Sequence, residues 1–111
     1  MNVSFSSNDN VEPGTPLAAD AVSSAPTLTV VGASNFSASF DNEDQKFTVA
    51  MVDADIVGTD ESGNQTRHWL ANNVELSGEE DDVYGLNFTT APITNYAGPG
   101  PAEGSGPHRM F

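Results

Sequence analysis

Between Gly98 and Pro107 the chain sets four glycines and three prolines in ten positions, and the run closes on His108-Arg109 and an apolar Met110-Phe111. A flexible spacer is built of Gly and Ser, whereas Gly98-Pro-Gly-Pro101 alternates Gly with Pro. Proline fixes φ and removes a donor, while glycine admits positive φ and lets a ligand or another backbone approach closely. The alternation predicts a stiff, sharply turning loop with bare backbone on its inner side. Such a loop suits the wall of a small anion-binding cavity. On composition alone an ordinary Gly/Pro loop is the simpler account, so the choice falls to segments upstream.

At 111 residues the chain is read as a single domain, 1–111, with an irregular N-terminal arm over about residues 1–26. Sixteen acids against three bases give a formal charge of −13. That balance argues against nucleic acid, whose phosphates need Lys and Arg, and against attraction to an anionic membrane surface. A phosphate bound here must be held locally, by backbone N–H groups and the few bases. The acidic run Glu79-Glu-Asp-Asp82 reads as a solvated loop. With no cysteine, disulfide scaffolds, thiolate metal sites and thiol nucleophiles are excluded. Asn2, Asn35, Asn64 and Asn87 head Asn-x-Ser/Thr sequons, which permit a secreted glycoprotein and leave a cytoplasmic one open. No signal-peptide pattern and no apolar run of membrane-spanning length are expected.

The patterning is β throughout. Expected strands are Val3–Phe5, Thr27–Val31, Asn35–Phe40, Phe47–Asp53, Thr66–Asn72, Leu86–Thr89 and His108–Phe111, separated by Gly, Pro, Asn and Asp clusters. Phe47–Val52 is nearly continuous in apolar character and predicts a central strand covered on both faces. Glu61–Gln65 reads as a loop between core strands. No window shows a sustained helical period.

Three segments then stand in a telling order: Val52-Asp-Ala-Asp55, His68-Trp-Leu70, and Tyr96-Ala-Gly-Pro-Gly-Pro101 running to Gly106-Pro-His-Arg109. With Val11-Glu-Pro-Gly-Thr-Pro-Leu17 and Pro26-Thr-Leu-Thr-Val30 upstream, the chain resembles the phosphatidylethanolamine-binding protein (PEBP) family over roughly residues 11–111. The Gly/Pro run closing on His-Arg is the specific part; Asp-x-Asp alone is weak. The resemblance implies a mainly β fold, an antiparallel-rich sandwich-like domain. It further implies a non-enzymatic module binding small phosphate- or carboxylate-bearing groups, with phospholipid headgroups the namesake ligand and no cofactor. Some relatives inhibit serine carboxypeptidases and others regulate kinases, so an inhibitor or signalling protein is the alternative. A degenerate secreted structural member is a third.

Carried over residue by residue, the family's pocket implies Asp53, His68, Gly98, Gly100, Pro101 and His108 as ligand-binding positions. Asp55 is expected to hold the loop, and Arg109 to pair with an acid that the sequence does not name. Both imidazoles would donate to an anionic oxygen, and imidazole is the side chain that changes charge near neutral pH. A carboxylate such as Asp53 favours a protonated imidazole and would accept a cationic headgroup beside it. A structural reading, a core residue bonded within the sheet, is the alternative for His68, and less so for His108, which follows the Gly/Pro loop directly. Trp69, on the opposite strand face from His68, reads as core. The chain departs from the family's Asp-Pro-Asp-x-Pro in Asp53-Ala-Asp-Ile-Val57, and carries Ala102, Met110 and Thr66-Arg67 where proline or aromatics are usual. These changes imply a wider, looser pocket and a likeness to fungal-type members. A metal site is not expected, because the histidines lie forty positions apart. A Ser-His-Asp triad is not expected either, since Gly104-Ser-Gly106 is too short a match to the nucleophile-elbow pattern. The sequence stops where the family continues the His-Arg strand, which predicts a truncated or processed member, open to self-association through that strand.

Overall fold

The computed structural model describes residues 1–32, 45–55 and 65–111. Five strands, β1 (Asn2–Ser4), β2 (Thr27–Val31), β3 (Phe47–Asp53), β4 (Thr66–Glu80) and β5 (Val83–Phe88), form one curled antiparallel sheet in the order β1-β2-β5-β4-β3. The fold is therefore mainly β, with a single 3-10 turn at Asp20–Val22 as its helical element among the described residues. No helix among those residues is long and apolar enough to cross a membrane. The expected strand at 35–40 and most of the expected loop at 61–65 lie outside the described residues.

β2 and β3 run over the spans their β-branched and aromatic residues predict. β3 differs from expectation in its place. It lies at the margin of the five strands, and exposed Thr48 and Ala50 alternate with half-buried Phe47, Val49 and Met51. One of its faces is wet, so the near-continuous apolar run reflects small residues such as Ala50 and not a two-sided core. Its outer edge is hydrogen-bonded near the C-terminal end of the strand. Val52 and Phe111 exchange both backbone bonds at 2.7 and 2.8 Å, and Ala54 N–H donates to the Arg109 carbonyl at 3.0 Å. The expected strand at His108–Phe111 is thus a short pairing centred on an isolated bridge between Asp53 and Met110.

β4 is longer than expected, 15 residues, because pairing carries it through polar residues that read as a loop. At Asn73 the backbone takes φ +54° and the β3–β4 register shifts between Phe47 and Val49, an irregularity that Asn tolerates. The β3–β4 register shifts again between Met51 and Val52, and the β4–β5 register between Ser77 and Glu79, at Gly78 with φ +62°. The acidic run is thereby corrected from a loop to a hairpin tip. Glu79 and Glu80 end β4, and Asp81 and Asp82 form the two-residue turn with φ +52° and +61°, the mirror-image geometry that suits the twist of a hairpin. β5 consequently begins at Val83, three residues ahead of the expected strand.

The described core consists of Phe5, Val22, Leu28, Trp69, Ala71 and Val74. Trp69 is buried as expected. Its ring stacks on Phe88 with centroids 5.2 Å apart and meets the Tyr96 ring edge-on at 5.8 Å. The Tyr96 hydroxyl donates to the Val22 carbonyl at 2.6 Å, tying the N-terminal arm to the segment that leads into the Gly/Pro run. Burial pushes the Tyr96 phenol up from its ordinary value.

Candidate functional site

β3 delivers Asp53 at its last position, where the strand turns away from the sheet. The Asp53 side chain is buried, and its Oδ1 accepts the Asp55 backbone N–H at 2.8 Å, a local turn typical of Asp. Asp53 Oδ2 accepts a bond from His108 Nδ1 at 2.6 Å and stands 3.9 Å from His68 Nε2. A carboxylate only accepts, so His108 Nδ1 carries a proton. Nε2 of His108 lies 3.2 Å from the Ser105 hydroxyl.

His68 sits near the start of β4. Its Nδ1 lies 2.7 Å from the Ala97 carbonyl and therefore donates to it, while Ala97 N–H donates back to the His68 carbonyl at 2.8 Å. Leu70 and Thr94 exchange a second pair of backbone bonds at 3.1 and 3.0 Å. These contacts lay residues 94–97 along the edge of β4 opposite β3, beyond the stretch paired with β5, and turn His68 Nε2 toward Asp53. Both imidazoles are largely buried, with side chains 12% and 11% exposed, so their orientation is fixed by packing as well as by bonds.

Asp55 and Arg109 form the second layer. Arg109 Nε and Nη2 reach Asp55 Oδ2 and Oδ1, both at 2.9 Å, and the Arg109 backbone N–H donates to Oδ2 at 2.7 Å. This two-pronged pair names the acid that the sequence left open. The Arg109 side-chain bond first, and its backbone N–H next, hold the Asp55 carboxyl below its usual range. Burial opposes these bonds, and nearby positive charge on Arg109 and then His108 adds lesser effects in the lowering direction. The same partner holds the Arg109 guanidinium still more firmly protonated.

A cavity of about 330 Å³ opens among Asp53, Asp55, Thr66, His68, Gly100, Ala102 and His108. The structure therefore gathers four of the six expected ligand positions, Asp53, His68, Gly100 and His108. Gly98 and Pro101 are not part of this lining. At Gly98 a Cβ would come within 2.8 Å of the Val22 carbonyl oxygen and 3.0 Å of Ser23 Cα, so the bare backbone there admits the N-terminal arm, not a ligand. Gly100 has open space where a Cβ would point. Thr66 and Ala102 enter the lining unforeseen. Ser105 was set aside in the sequence, and the signal that could have found it is a serine three positions before the pocket histidine, flanked by glycines. A second, larger concavity of about 550 Å³ at the hairpin tip is lined by Gly78, Glu80, Asp81 and Val83, with no cation among them. Among the described residues no group of three or more His, Asp and Glu side chains is placed to hold a metal ion.

A family model described as phosphatidylethanolamine-binding protein matches residues 7–111 of the chain. No curated protein and no solved structure gives a significant match.

Proposed function

The chain belongs to the phosphatidylethanolamine-binding protein family, and from that premise we propose that the Asp53–His68–His108 cavity binds a small phosphate- or carboxylate-bearing group, a phosphoethanolamine-like headgroup foremost, without chemical turnover. The observation that carries this reading is the convergence of two imidazoles on one buried carboxylate at the wall of a single cavity. His68 Nε2 and His108 Nε2 are the ring atoms left to meet a ligand. Each imidazole already uses its Nδ1–H on a fixed acceptor, Ala97 or Asp53. A protonated ring then offers Nε2–H to an anionic oxygen, which takes the place of the Ser105 hydroxyl at His108. Gly100 lets the ligand approach the loop backbone, and Asp53 lies where an ammonium group would be drawn. In this reading the Asp55–Arg109 pair positions the loop, and Asp55, although at the cavity wall, keeps its carboxylate on Arg109.

Amide NMR titration with phosphoethanolamine at about pH 6.5 tests the reading. Localised shifts at Asp53, His68, Gly100 and His108 are expected. A dispersed spectrum that does not respond retires it. Affinity should fall on going from about pH 6 to about pH 8 as imidazole loses its proton, and His68→Gln should flatten that dependence. A flat profile in the unmutated chain removes the histidine role.

A second reading is favoured by the surface. Glu80, Asp81 and Asp82 are exposed at the hairpin tip of a chain with net charge −13, which suits a basic protein partner such as a protease or kinase. Pull-down with candidate proteases and kinases, scored at low and high salt, tests it. Capture that survives neither condition sends the function back to the pocket. The altered Asp53-Ala-Asp-Ile-Val57 segment is the feature behind a fungal-type likeness.

A further inference from the structure

Ser105, His108 and Asp53 stand in series. The Ser105 Oγ lies 3.2 Å from His108 Nε2, and His108 Nδ1 lies 2.6 Å from Asp53 Oδ2. With Nδ1–H committed to the carboxylate, the neutral ring presents a lone pair at Nε2; the Ser105 hydroxyl has two acceptors in reach, the Gly106 carbonyl at 3.5 Å and Nε2 at 3.2 Å, and the nearer one draws its proton. Asp53 is buried and bonded at its other oxygen to the Asp55 N–H, so it holds the ring in this tautomer and orientation. The approach of a serine to a histidine three positions on requires the chain to fold back on itself. Gly104 and Gly106, on either side of the serine, both take left-handed φ of +83° and +78°, and the Ser105 N–H closes the turn on the Ala102 carbonyl at 3.1 Å. A nucleophile, a base bonded to it and a carboxylate orienting the base are the geometric roles that activate a hydroxyl, and they are recognised by geometry and not by position in the sequence.

We propose that Ser105 is an activated nucleophile, and that the rim of the cavity is a site of acyl transfer from small, uncharged carboxylic esters. In the first step the Ser105 Oγ–C bond forms while His108 Nε2 takes the hydroxyl proton. The tetrahedral adduct collapses with cleavage of the ester C–O bond, and His108 returns the proton to the departing alcohol. Water then attacks acyl-Ser105 by the same route, giving the carboxylic acid and restoring the hydroxyl. No oxidant, reductant or metal enters the balance. Ser105 is outside the cavity lining while its partner His108 is within it, so the acyl group would lie in the cavity and the alcohol toward solvent. His68, whose Nε2 faces the same space, can donate to the developing oxyanion when its ring is protonated. The net charge of −13 selects against anionic esters.

This inference does not rest on the anion-binding reading, because that reading needs His108 and Asp53 but not the Ser105 hydroxyl. The test is reaction of the full chain with a fluorophosphonate, a reagent whose P–F bond breaks as Ser Oγ bonds to phosphorus. Intact mass and peptide mapping read the product. A single adduct on Ser105 is expected, absent in Ser105→Ala, and slowed about 100-fold or more in His108→Gln, the usual scale of a lost general base. If His108→Gln fails to fold, the unmutated chain decides, because in denaturant, where the bond to His108 is lost, Ser105 should label about 100-fold more slowly than in the folded chain. No adduct, adducts spread over other serines, or a rate independent of both His108 and folding overturns the proposal. Phosphoethanolamine shifts that persist in Ser105→Ala would show that the binding reading stands when this one falls.

Discussion

Asp55 and Arg109 lie 54 positions apart and meet through three hydrogen bonds. Because the folded Asp55 carboxyl ionises below its unfolded value, the stability this pair contributes is fully present above about pH 4. It is lost as pH falls through the depressed folded value. Asp55→Asn should therefore lower the melting temperature at neutral pH and shrink its fall on acidification, as followed by circular dichroism from neutral to acid. Arg109→Lys is not conservative here, since an ammonium cannot span both carboxylate oxygens. Gly98 offers a second test at this scale. Gly98→Ala pushes a methyl group to within 2.8 Å of the Val22 carbonyl and should destabilise by about 1–3 kcal/mol, read by denaturant midpoint. Gly100→Ala, with open space, should leave that midpoint nearly unchanged and act on ligand affinity.

Among the elements, the β4–β5 hairpin is the clearest case of pairing overriding local preference. Its turn needs positive φ at both Asp81 and Asp82. Asp82→Val should cost about 1–2 kcal/mol through the left-handed strain of a branched side chain, and Asp82→Gly should not. Thermal melts of the two variants check this. The hairpin also shows what could be read in advance. Thr27–Val31 and Phe47–Asp53 were legible because branched and aromatic residues sit between clear breakers. β4 beyond Asn72 was not, since Asn73 and Ser77-Gly78 look like loop residues, and it is the pairing of Val74 with both Phe47 and Phe88, and of the residues beyond it with β5, that carries the strand through them. The margin position of β3 was hidden for a related reason, because a run of Val, Ala and Met reports apolar character but not how many neighbours cover it. At the site, Asp53, His68 and His108 were legible from motif order. Gly98 was misread because its neighbour, the Val22–Ser23 segment, arrives from another part of the chain. Ser105 was weighed and set aside because Gly104-Ser-Gly106 shows the glycines but not the left-handed turn through which they bring the hydroxyl to the imidazole.

For the whole molecule, a small described core, Phe5, Val22, Leu28, Trp69, Ala71 and Val74, carries a surface of high negative charge. Self-repulsion among the acids opposes compaction, and salt screens it over about 8–10 Å at moderate ionic strength. Added sodium chloride should raise the melting temperature; a melting temperature that falls or stays fixed would mean that the described ion pairs, Asp55–Arg109 and Lys46–Glu75, outweigh the repulsion. Trp69→Ala, which removes the ring between Phe88 and Tyr96, should cost about 3–5 kcal/mol and leave little folded protein.

The bond between His108 and Asp53 closes a loop of 55 residues. During synthesis the strand that carries Asp53 leaves the ribosome long before its partner histidine exists outside the tunnel. β3 and β4 can pair early, but the cavity has no second imidazole until residue 108 has emerged, and the entropy of closing so long a loop falls on that late step. Until then the Asp53 carboxylate stays open to water on the nascent chain, and the wall of the cavity is completed last, by the Gly/Pro loop and its histidine.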